Sequence, residues 1–154
     1  MENKKSINAF LIVISIILVA SLGSVFVNRG MEWFNELAKP TQWIPNFVIP
    51  LVWTVLYFDF AITLIIMSNK DLLTKEITIL SVLNGVLNIL WCLVFFTLKL
   101  TFVGNIVIIL NLIFSFCLIL SINKVCKTCA LATIIYPIWI SIATTLNLAL
   151  WIMN

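Results

Sequence analysis

Five long apolar runs, separated by short polar segments, account for most of the chain. The runs cover about residues 7–27, 47–67, 77–98, 102–123 and 129–153. A helix of ~20 residues, rising ~1.5 Å per residue, is long enough to cross the ~30 Å hydrocarbon core of a bilayer. The pattern therefore predicts an all-α integral membrane protein, a bundle of five transmembrane helices, as a single domain over residues 1–154. The segment 28–46 is predicted to be a loop that covers one end of the bundle.

The composition agrees with this assignment. Of the 154 residues, 63% are hydrophobic and only 10% are charged, so the chain needs the lipid bilayer as its solvent. The formal net charge is +3 without a basic patch, which excludes nucleic acid as a partner. The first run has the charged start and small-residue end of a secretory signal. Because its apolar stretch is long and four more spans follow, a retained first helix is favoured over cleavage.

Lysine and arginine are distributed unequally between the two ends of the predicted bundle. The cytoplasmic ends of membrane proteins carry an excess of these residues. The end with more of them, which includes the N-terminus, is therefore predicted to face the cytoplasm, in a cytoplasmic membrane. The C-terminus and the loop 28–46 are predicted to lie outside. One end carries Lys4, Lys5, Lys70, Lys75, Lys124 and Lys127, and the other carries Arg29, Lys39 and Lys99.

The cysteines do not form the pattern of a metal site. Cys92 and Cys117 fall inside predicted spans, where a free thiol acts as a small apolar side chain. Cys126 and Cys129 form a CxxC pair at the predicted cytoplasmic edge, and we interpret them as two surface thiols. Since the chain has no histidine, a His–Asp relay and a His-ligated haem iron are excluded. No metal site and no catalytic residue is predicted.

The third span carries two amide side chains on one helical face. Asn84 and Asn88 are four residues apart and Trp91 follows three later, so all three lie within an arc of about 60°. An amide in hydrocarbon costs several kcal/mol unless it is paired, so this face must look into the bundle. Two roles remain open for it, hydrogen bonding between helices and binding of a ligand.

The second and last spans present similar faces. In the last span, one arc of roughly 100° carries Tyr136, Trp139, Ala143, Leu146 and Asn147. In the second span, one face carries Trp53, Tyr57 and Phe60. Pro137 is expected to kink the last helix or to end its first turn, because proline donates no helical hydrogen bond. The three faces together predict a pocket between helices.

The connection between the first two spans is rich in tryptophan and proline. Prolines fix φ and stiffen a connector. An aromatic belt at the level of the lipid headgroups would explain the tryptophans. A lid that closes over a cavity would explain the prolines as well, and both interpretations stay open. The residues are Trp33, Trp43 and Trp53, spaced by ten, with Pro40, Pro45 and Pro50.

Asp59 is a carboxylic acid in the interior of the second span. A charge near mid-bilayer is costly, so this group is either protonated or paired, and such groups are often functional. On a helical wheel Asp59 points away from Trp53 and Tyr57. This favours a structural contact to another helix or subunit over a role in proton coupling.

Four sequence blocks resemble the tryptophan-rich sensory protein (TspO), or translocator protein, family, also called TspO/MBR. They are WFNELAKP at 33–40, WTVLY at 53–57, NILWCLVFF at 88–96 and YPIWISIATTLN at 136–147. The blocks follow in this order across the five predicted spans, so the resemblance covers nearly the whole chain. The resemblance implies a five-helix membrane protein, commonly a homodimer. It also implies binding of porphyrins such as protoporphyrin IX and haem, and of sterols and synthetic benzodiazepine-type ligands.

By the same resemblance, the pocket lies between the helices beneath the first loop. Its implied ligand-binding residues are Trp33, Pro40, Trp53, Tyr57, Asn84, Asn88, Trp91, Trp139, Ala143 and Asn147. The expected function is that of a membrane receptor for a tetrapyrrole or a sterol-like molecule, with no required cofactor. The alternatives are a transporter that uses Asp59 for coupling and a light-dependent enzyme that degrades porphyrin.

Overall fold

The computed structural model describes residues 2–41 and 43–154, and the regular elements of these two segments are all helical. Five helical units are long and apolar enough to span a membrane, which confirms the predicted fold class. The helices are α1 (Glu2–Glu36), α2 (Val48–Asn69), α3 (Lys75–Cys92), α4 (Thr101–Val125), α5 (Lys127–Thr133) and α6 (Ile135–Met153). The last two together make the fifth span.

The first helix is longer than predicted. The prediction of a loop over residues 28–46 is wrong for residues 28–36, which are helical. α1 continues to Glu36, because no proline occurs before Pro40 and the last turns of the helix pack Phe34 into the protein core. Trp33 therefore lies on α1 rather than in a loop. Pro50 likewise lies outside the connector. It is in the first turn of α2, where a proline is tolerated.

The third span ends in a π-helical turn, Leu93–Thr97, which follows α3 directly. The turn buries Phe95 and Phe96 against Trp91 and Phe34. The chain then reverses through Lys99, whose φ of 58° is in the left-handed region. This short reversal brings α4 back antiparallel to α3.

The fifth span is interrupted at Ile134, between α5 and α6. Pro137 follows three residues later and has no N–H to donate to the carbonyl of Thr133. The Thr133 hydroxyl donates to the Cys129 carbonyl oxygen at 2.9 Å, a bond that does not replace the missing one. The helix is thus interrupted one turn before Pro137, in agreement with the expectation that the proline kinks the helix or ends its first turn.

The interpretation of Cys126 and Cys129 as two surface thiols is wrong, because the structure joins them in a disulfide. Cys126 has an extended backbone and caps α5, so its side chain turns back over the first turn of that helix. Its Cα lies 5.2 Å from that of Cys129, within the ~4.4–6.8 Å range of disulfides. The other two cysteines are free, Cys92 buried and Cys117 exposed on α4.

Packing is uneven across the bundle. α4 lies between α3 and α6, and the apolar windows of these spans are buried to 33–44%. By contrast, the apolar window of α1 is only 6% buried inside the protein. α1 therefore contributes few fully buried residues, although it packs against α2, α3 and the π-helical turn.

The tightest attachment of α1 is at Gly30. A Cβ at this position would overlap the carbonyl oxygen of Phe96 and would lie 2.9 Å from the Phe96 Cα. Next to this contact, the Thr97 hydroxyl donates to the Phe26 carbonyl oxygen at 3.0 Å. Glycine thus lets α1 touch the backbone of the π-helical turn directly.

We expect Gly30→Ala to destabilise the folded protein by ~1–3 kcal/mol, because the added methyl group must displace backbone. Gly23→Ala is the matched control on the same helix. Its Cβ would meet only the Cys92 Sγ at 3.4 Å, an ordinary contact. Unfolding in a detergent series measures both variants, and equal stability of the two would contradict the close contact at Gly30.

Candidate functional site

Two cavities of very different size lie between the helices. The larger cavity, of about 360 Å³, is enclosed by α1, α2 and α3, with Tyr136 of α6 at its inner wall. The smaller cavity, of about 50 Å³, lies next to the connector residue Trp43 and is bounded mainly by α2, α6 and the end of the third span. Small-molecule sites in proteins usually measure ~300–1,000 Å³, and only the larger cavity falls in that range.

The larger cavity lies between two points at which α1 is held against the other helices. At one end the Lys5 Nζ donates to the Asn69 carbonyl oxygen at 2.6 Å. Further along, Val19 packs against Gly85 of α3. Between these points, the stretch of α1 from Leu11 to Val19 forms one wall of the cavity.

The wall of the larger cavity is apolar and aromatic, and none of its lining residues is charged. The rings of Trp53 and Tyr57 lie side by side, with centroids 5.8 Å apart and planes inclined by 30°. Leu11, Val82 and Val86 line the cavity and are also exposed on the outside of the bundle. The cavity is therefore accessible from the hydrocarbon layer.

The smaller cavity is nearly filled by aromatic rings. Phe95 stacks on Trp91 with ring centroids 5.8 Å apart, and Phe34 closes the side towards α1. Trp43 packs on Phe34 with centroids 6.0 Å apart, so the connector contributes one ring to the cover. The space left over is too small for a drug-sized molecule without movement of these rings.

The structure divides the predicted site residues between the two cavities. Tyr57, Asn84 and Asn88 line the larger cavity, and Trp91, Trp139, Ala143 and Asn147 line the smaller one. Trp53 lines both and forms the partition between them. Asn84, Asn88 and Trp91 were expected on a single face of one pocket, but the first two line the larger cavity and Trp91 lines the smaller one.

Trp33 and Pro40 line neither cavity. The Trp33 ring packs edge-on against Phe95, with centroids 5.8 Å apart. Pro40 belongs to the connector, where its carbonyl oxygen accepts a hydrogen bond from the Trp43 amide at 3.0 Å. Both residues support Trp43 and Phe95, which in turn border the smaller cavity.

Several amides in the spans hydrogen-bond to other helices. The Asn147 Nδ2 of α6 donates to the Asn105 Oδ1 of α4 at 2.9 Å, and the Trp91 Nε1 of α3 donates to the Asn147 Oδ1 at 3.3 Å. On the α2 side, the Asn88 Nδ2 donates to the Tyr57 hydroxyl at 3.4 Å. Asn147 therefore pairs α6 with α3 and α4. For Asn88 and Trp91 of the third span, the structure supports helix pairing, one of the two roles that the sequence left open.

Sequence reasoning missed two amides of α4, Asn105 and Asn111. Both are buried, and the Tyr136 hydroxyl donates to the Asn111 Oδ1 at 3.2 Å. The signal was available, because an amide inside an apolar run must face protein rather than lipid. The positions of Phe34, Phe95 and Phe96 beside the smaller cavity could not be predicted, since an apolar ring in a span can face either lipid or core.

Asp59 lines neither cavity. Its Oδ2 is buried and has no hydrogen-bond partner among residues 2–41 and 43–154. The residue as a whole is partly exposed, in the middle of α2. Its position away from both cavities agrees with the helical wheel.

The comparisons with known proteins agree along the length of the chain. A model of the TspO/MBR family matches residues 11–152. The tryptophan-rich protein TspO of Chlorobaculum tepidum is 27% identical over 99% of both chains. The TspO of Archaeoglobus fulgidus is 28% identical over 92% of this chain and 94% of its own. Protein CrtK of Rhodobacter capsulatus is 27% identical over 79% of this chain and 78% of its own.

A double-mutant cycle on Asn105 and Asn147 tests the structural role of the amides. Asn105→Leu leaves the Asn147 Nδ2 without its acceptor, and Asn147→Leu leaves the Asn105 Oδ1 without its donor, so each change should cost ~1–3 kcal/mol of stability. The double variant removes both amides and should cost less than the sum of the two by about 1 kcal/mol. Additive losses, measured by unfolding in detergent, would show that the two side chains do not interact.

Proposed function

Since this chain belongs to the TspO/MBR family, whose members are integral membrane proteins, we propose that it is a membrane receptor for porphyrins such as protoporphyrin IX or haem. In this proposal it senses or handles tetrapyrroles. The observation that supports it is the larger cavity, which offers an apolar, aromatic wall to a flat molecule that arrives through the bilayer.

The aromatic wall suits a macrocycle. The Trp53 and Tyr57 rings form a nearly continuous surface, and Phe60 and Tyr136 extend it towards the core in an edge-to-face pair with centroids 4.9 Å apart. Aromatic contacts of this kind add ~0.5–1.5 kcal/mol each beyond the area that they bury. Because the chain has no histidine, shape and stacking hold the ring in this proposal, for porphyrin and haem alike.

The carboxylates of a porphyrin need a separate explanation, because no charged residue lines the cavity. The cavity extends to Leu73 and Thr78, each three residues from a lysine, Lys70 or Lys75. A macrocycle lying in the cavity with its propionates at this end would place them at the membrane surface beside those cations. An ion pair there avoids burying charge in hydrocarbon.

Two cavity-filling variants test which space binds the pigment. Ser81→Phe places a ring at the wall of the larger cavity, and Ala143→Val adds two methyl groups in the smaller cavity, which has no room for a ring. We expect Ser81→Phe to weaken protoporphyrin IX at least tenfold, a loss of ~1.4 kcal/mol, and Ala143→Val to bind nearly as the parent protein does. Saturable quenching of tryptophan fluorescence in the dark measures the affinity.

The opposite ranking would place the ligand in the smaller cavity, and unsaturable quenching in all three proteins would reject the porphyrin proposal. The same titration under illumination addresses the enzymatic alternative. Loss of pigment absorbance that depends on folded protein would favour degradation over simple binding.

We propose the orientation with the N-terminus in the cytoplasm, on the six-to-three distribution of lysine and arginine. This places Cys126 and Cys129 at the cytoplasmic edge. Disulfides rarely persist in the cytosol, so this orientation exposes the Cys126–Cys129 disulfide to reduction.

Single cysteines in a background without native ones test this orientation. Asn35→Cys and Lys70→Cys alter exposed positions at opposite ends of the bundle. In intact cells, a membrane-impermeant thiol reagent should label the first variant and spare the second. The reverse pattern would invert the topology and would place the disulfide in an oxidising compartment.

A further inference from the structure

The Cys126–Cys129 disulfide lies away from the two cavities, where α4 ends and α5 begins. The two cysteines are only three residues apart in the sequence. In the chain-entropy account, a disulfide stabilises a protein by restricting its unfolded chain, and a short loop gives the smallest effect of this kind. Stabilisation of the fold is therefore a poor explanation for this bond.

Hydrogen bonds hold the two cysteines in place independently of the disulfide. The Cys126 N–H donates to the Ile122 carbonyl oxygen at 2.8 Å, and the Cys126 carbonyl oxygen accepts from the Ala130 N–H at 3.0 Å. The Cys129 carbonyl oxygen accepts from the Thr133 hydroxyl at 2.9 Å. Reduction of the disulfide breaks none of these bonds, so the two sulfurs stay close enough to join again. The arrangement permits a bond that opens and closes reversibly.

The two cysteines differ in their accessibility. Cys126 is partly exposed, whereas Cys129 is only 8% exposed and belongs to the apolar core cluster around Met67. A thiolate that attacks a disulfide bonds to one sulfur and releases the other, and access helps to decide which sulfur is attacked. A thiol that arrives from water therefore reaches Cys126 first, and Cys129 is the sulfur that leaves.

The surroundings of Cys126 also favour the anionic form of its sulfur when the disulfide is open. The Cys129 backbone N–H donates to the Cys126 Sγ at 3.2 Å. Lys127 follows Cys126 directly, is exposed and has no ion-pair partner among the described residues. A hydrogen bond to the sulfur and a nearby cation both stabilise a thiolate. Cys126 is thus the reactive sulfur of the reduced pair as well.

We propose that Cys126 and Cys129 form a thiol–disulfide exchange site whose substrate is a dithiol of the aqueous phase. One thiolate of the substrate attacks the Cys126 sulfur, so a mixed disulfide forms and Cys129 leaves as a thiolate. The second thiolate of the substrate then attacks the substrate sulfur of the mixed disulfide, and Cys126 leaves. Two electrons pass from the substrate, which becomes a disulfide, to the cysteine pair, and the two thiol protons of the substrate end on Cys126 and Cys129.

The exchange site needs neither porphyrin binding nor the larger cavity. Only the compartment of its substrate rests on the proposed orientation, which places this end of the bundle in the cytoplasm. Disulfides of cytosolic proteins are usually transient and have catalytic or redox-sensing roles. A cysteine pair that opens and closes agrees with that location.

Two single-cysteine variants of the pair test the roles of the two sulfurs. Cys129→Ser leaves Cys126 free, and Cys126→Ser leaves Cys129 free and keeps an acceptor for the Cys129 N–H. Each full-length protein, reduced and in phosphatidylcholine nanodiscs, is treated with the uncharged disulfide bis(2-hydroxyethyl) disulfide. Cys126 should form the mixed disulfide roughly tenfold faster than Cys129 or more, because only Cys126 is accessible and activated. Mass mapping of peptides measures both rates, and equal rates would overturn the proposal.

The parent protein provides the same assignment without a substitution. The oxidised protein is treated briefly with 2-mercaptoethanol and quenched with acid, and the adduct should be found on the peptide that contains Cys126. An adduct mainly on Cys129 would overturn the proposal. Cys117, which is exposed but lies inside a span, is the internal control and should stay unmodified.

Dithiothreitol, a dithiol, tests the exchange itself. An excess should reduce the parent pair with little change in the thermal unfolding midpoint, and bis(2-hydroxyethyl) disulfide should restore the bond. A pair that stays oxidised in dithiothreitol, or a large loss of stability on reduction, would identify a structural cross-link and reject the exchange site. A porphyrin titration in the same nanodiscs separates the two proposals. Exchange without porphyrin binding rejects only the porphyrin proposal, and porphyrin binding without exchange rejects only the exchange site.

Discussion

The contact between Gly30 and the backbone of Phe96 is the constraint on which the rest of the structure depends. It fixes α1 against the π-helical turn, and the Thr97 hydroxyl secures the same place through the Phe26 carbonyl. Towards its other end, α1 is held by Val19 against Gly85 of α3 and by Lys5 at the Asn69 carbonyl oxygen, and between these two contacts α1 borders open space. The larger cavity is the space that this arrangement leaves.

The bilayer explains why the helices are paired by amides. Apolar side chains gain little by leaving lipid for a protein interior, so hydrogen bonds and close packing have to define which helices meet. Asn147 links α6 to α4 and also accepts from Trp91 of α3, so one side chain orders three helices. Such a network fixes the inner half of the bundle, while α1 and α2 remain the outer half around the cavity.

Hydropathy alone predicted the five spans, because a bilayer demands long apolar helices and the connectors are short. Side-chain partners across helices were not predictable, since periodicity places Asn84, Asn88 and Trp91 on one face but does not say which neighbour each one meets. The size of the pocket could not be predicted from the sequence either. Phe95 and Phe96 fill the space beside Trp139, and their inward direction follows from the π-helical turn, which has no recognised sequence signal.

The central claim is that the cavity between α1, α2 and α3, rather than the space beneath the connector, holds the ligand. Protection of single cysteines tests it most directly, using Ser15→Cys at the wall of the larger cavity and Ala143→Cys in the smaller one. In a background without native cysteines, protoporphyrin IX should slow the reaction of a small membrane-permeant thiol reagent with the first variant and leave the second unchanged. Protection of Ala143→Cys alone would contradict the claim.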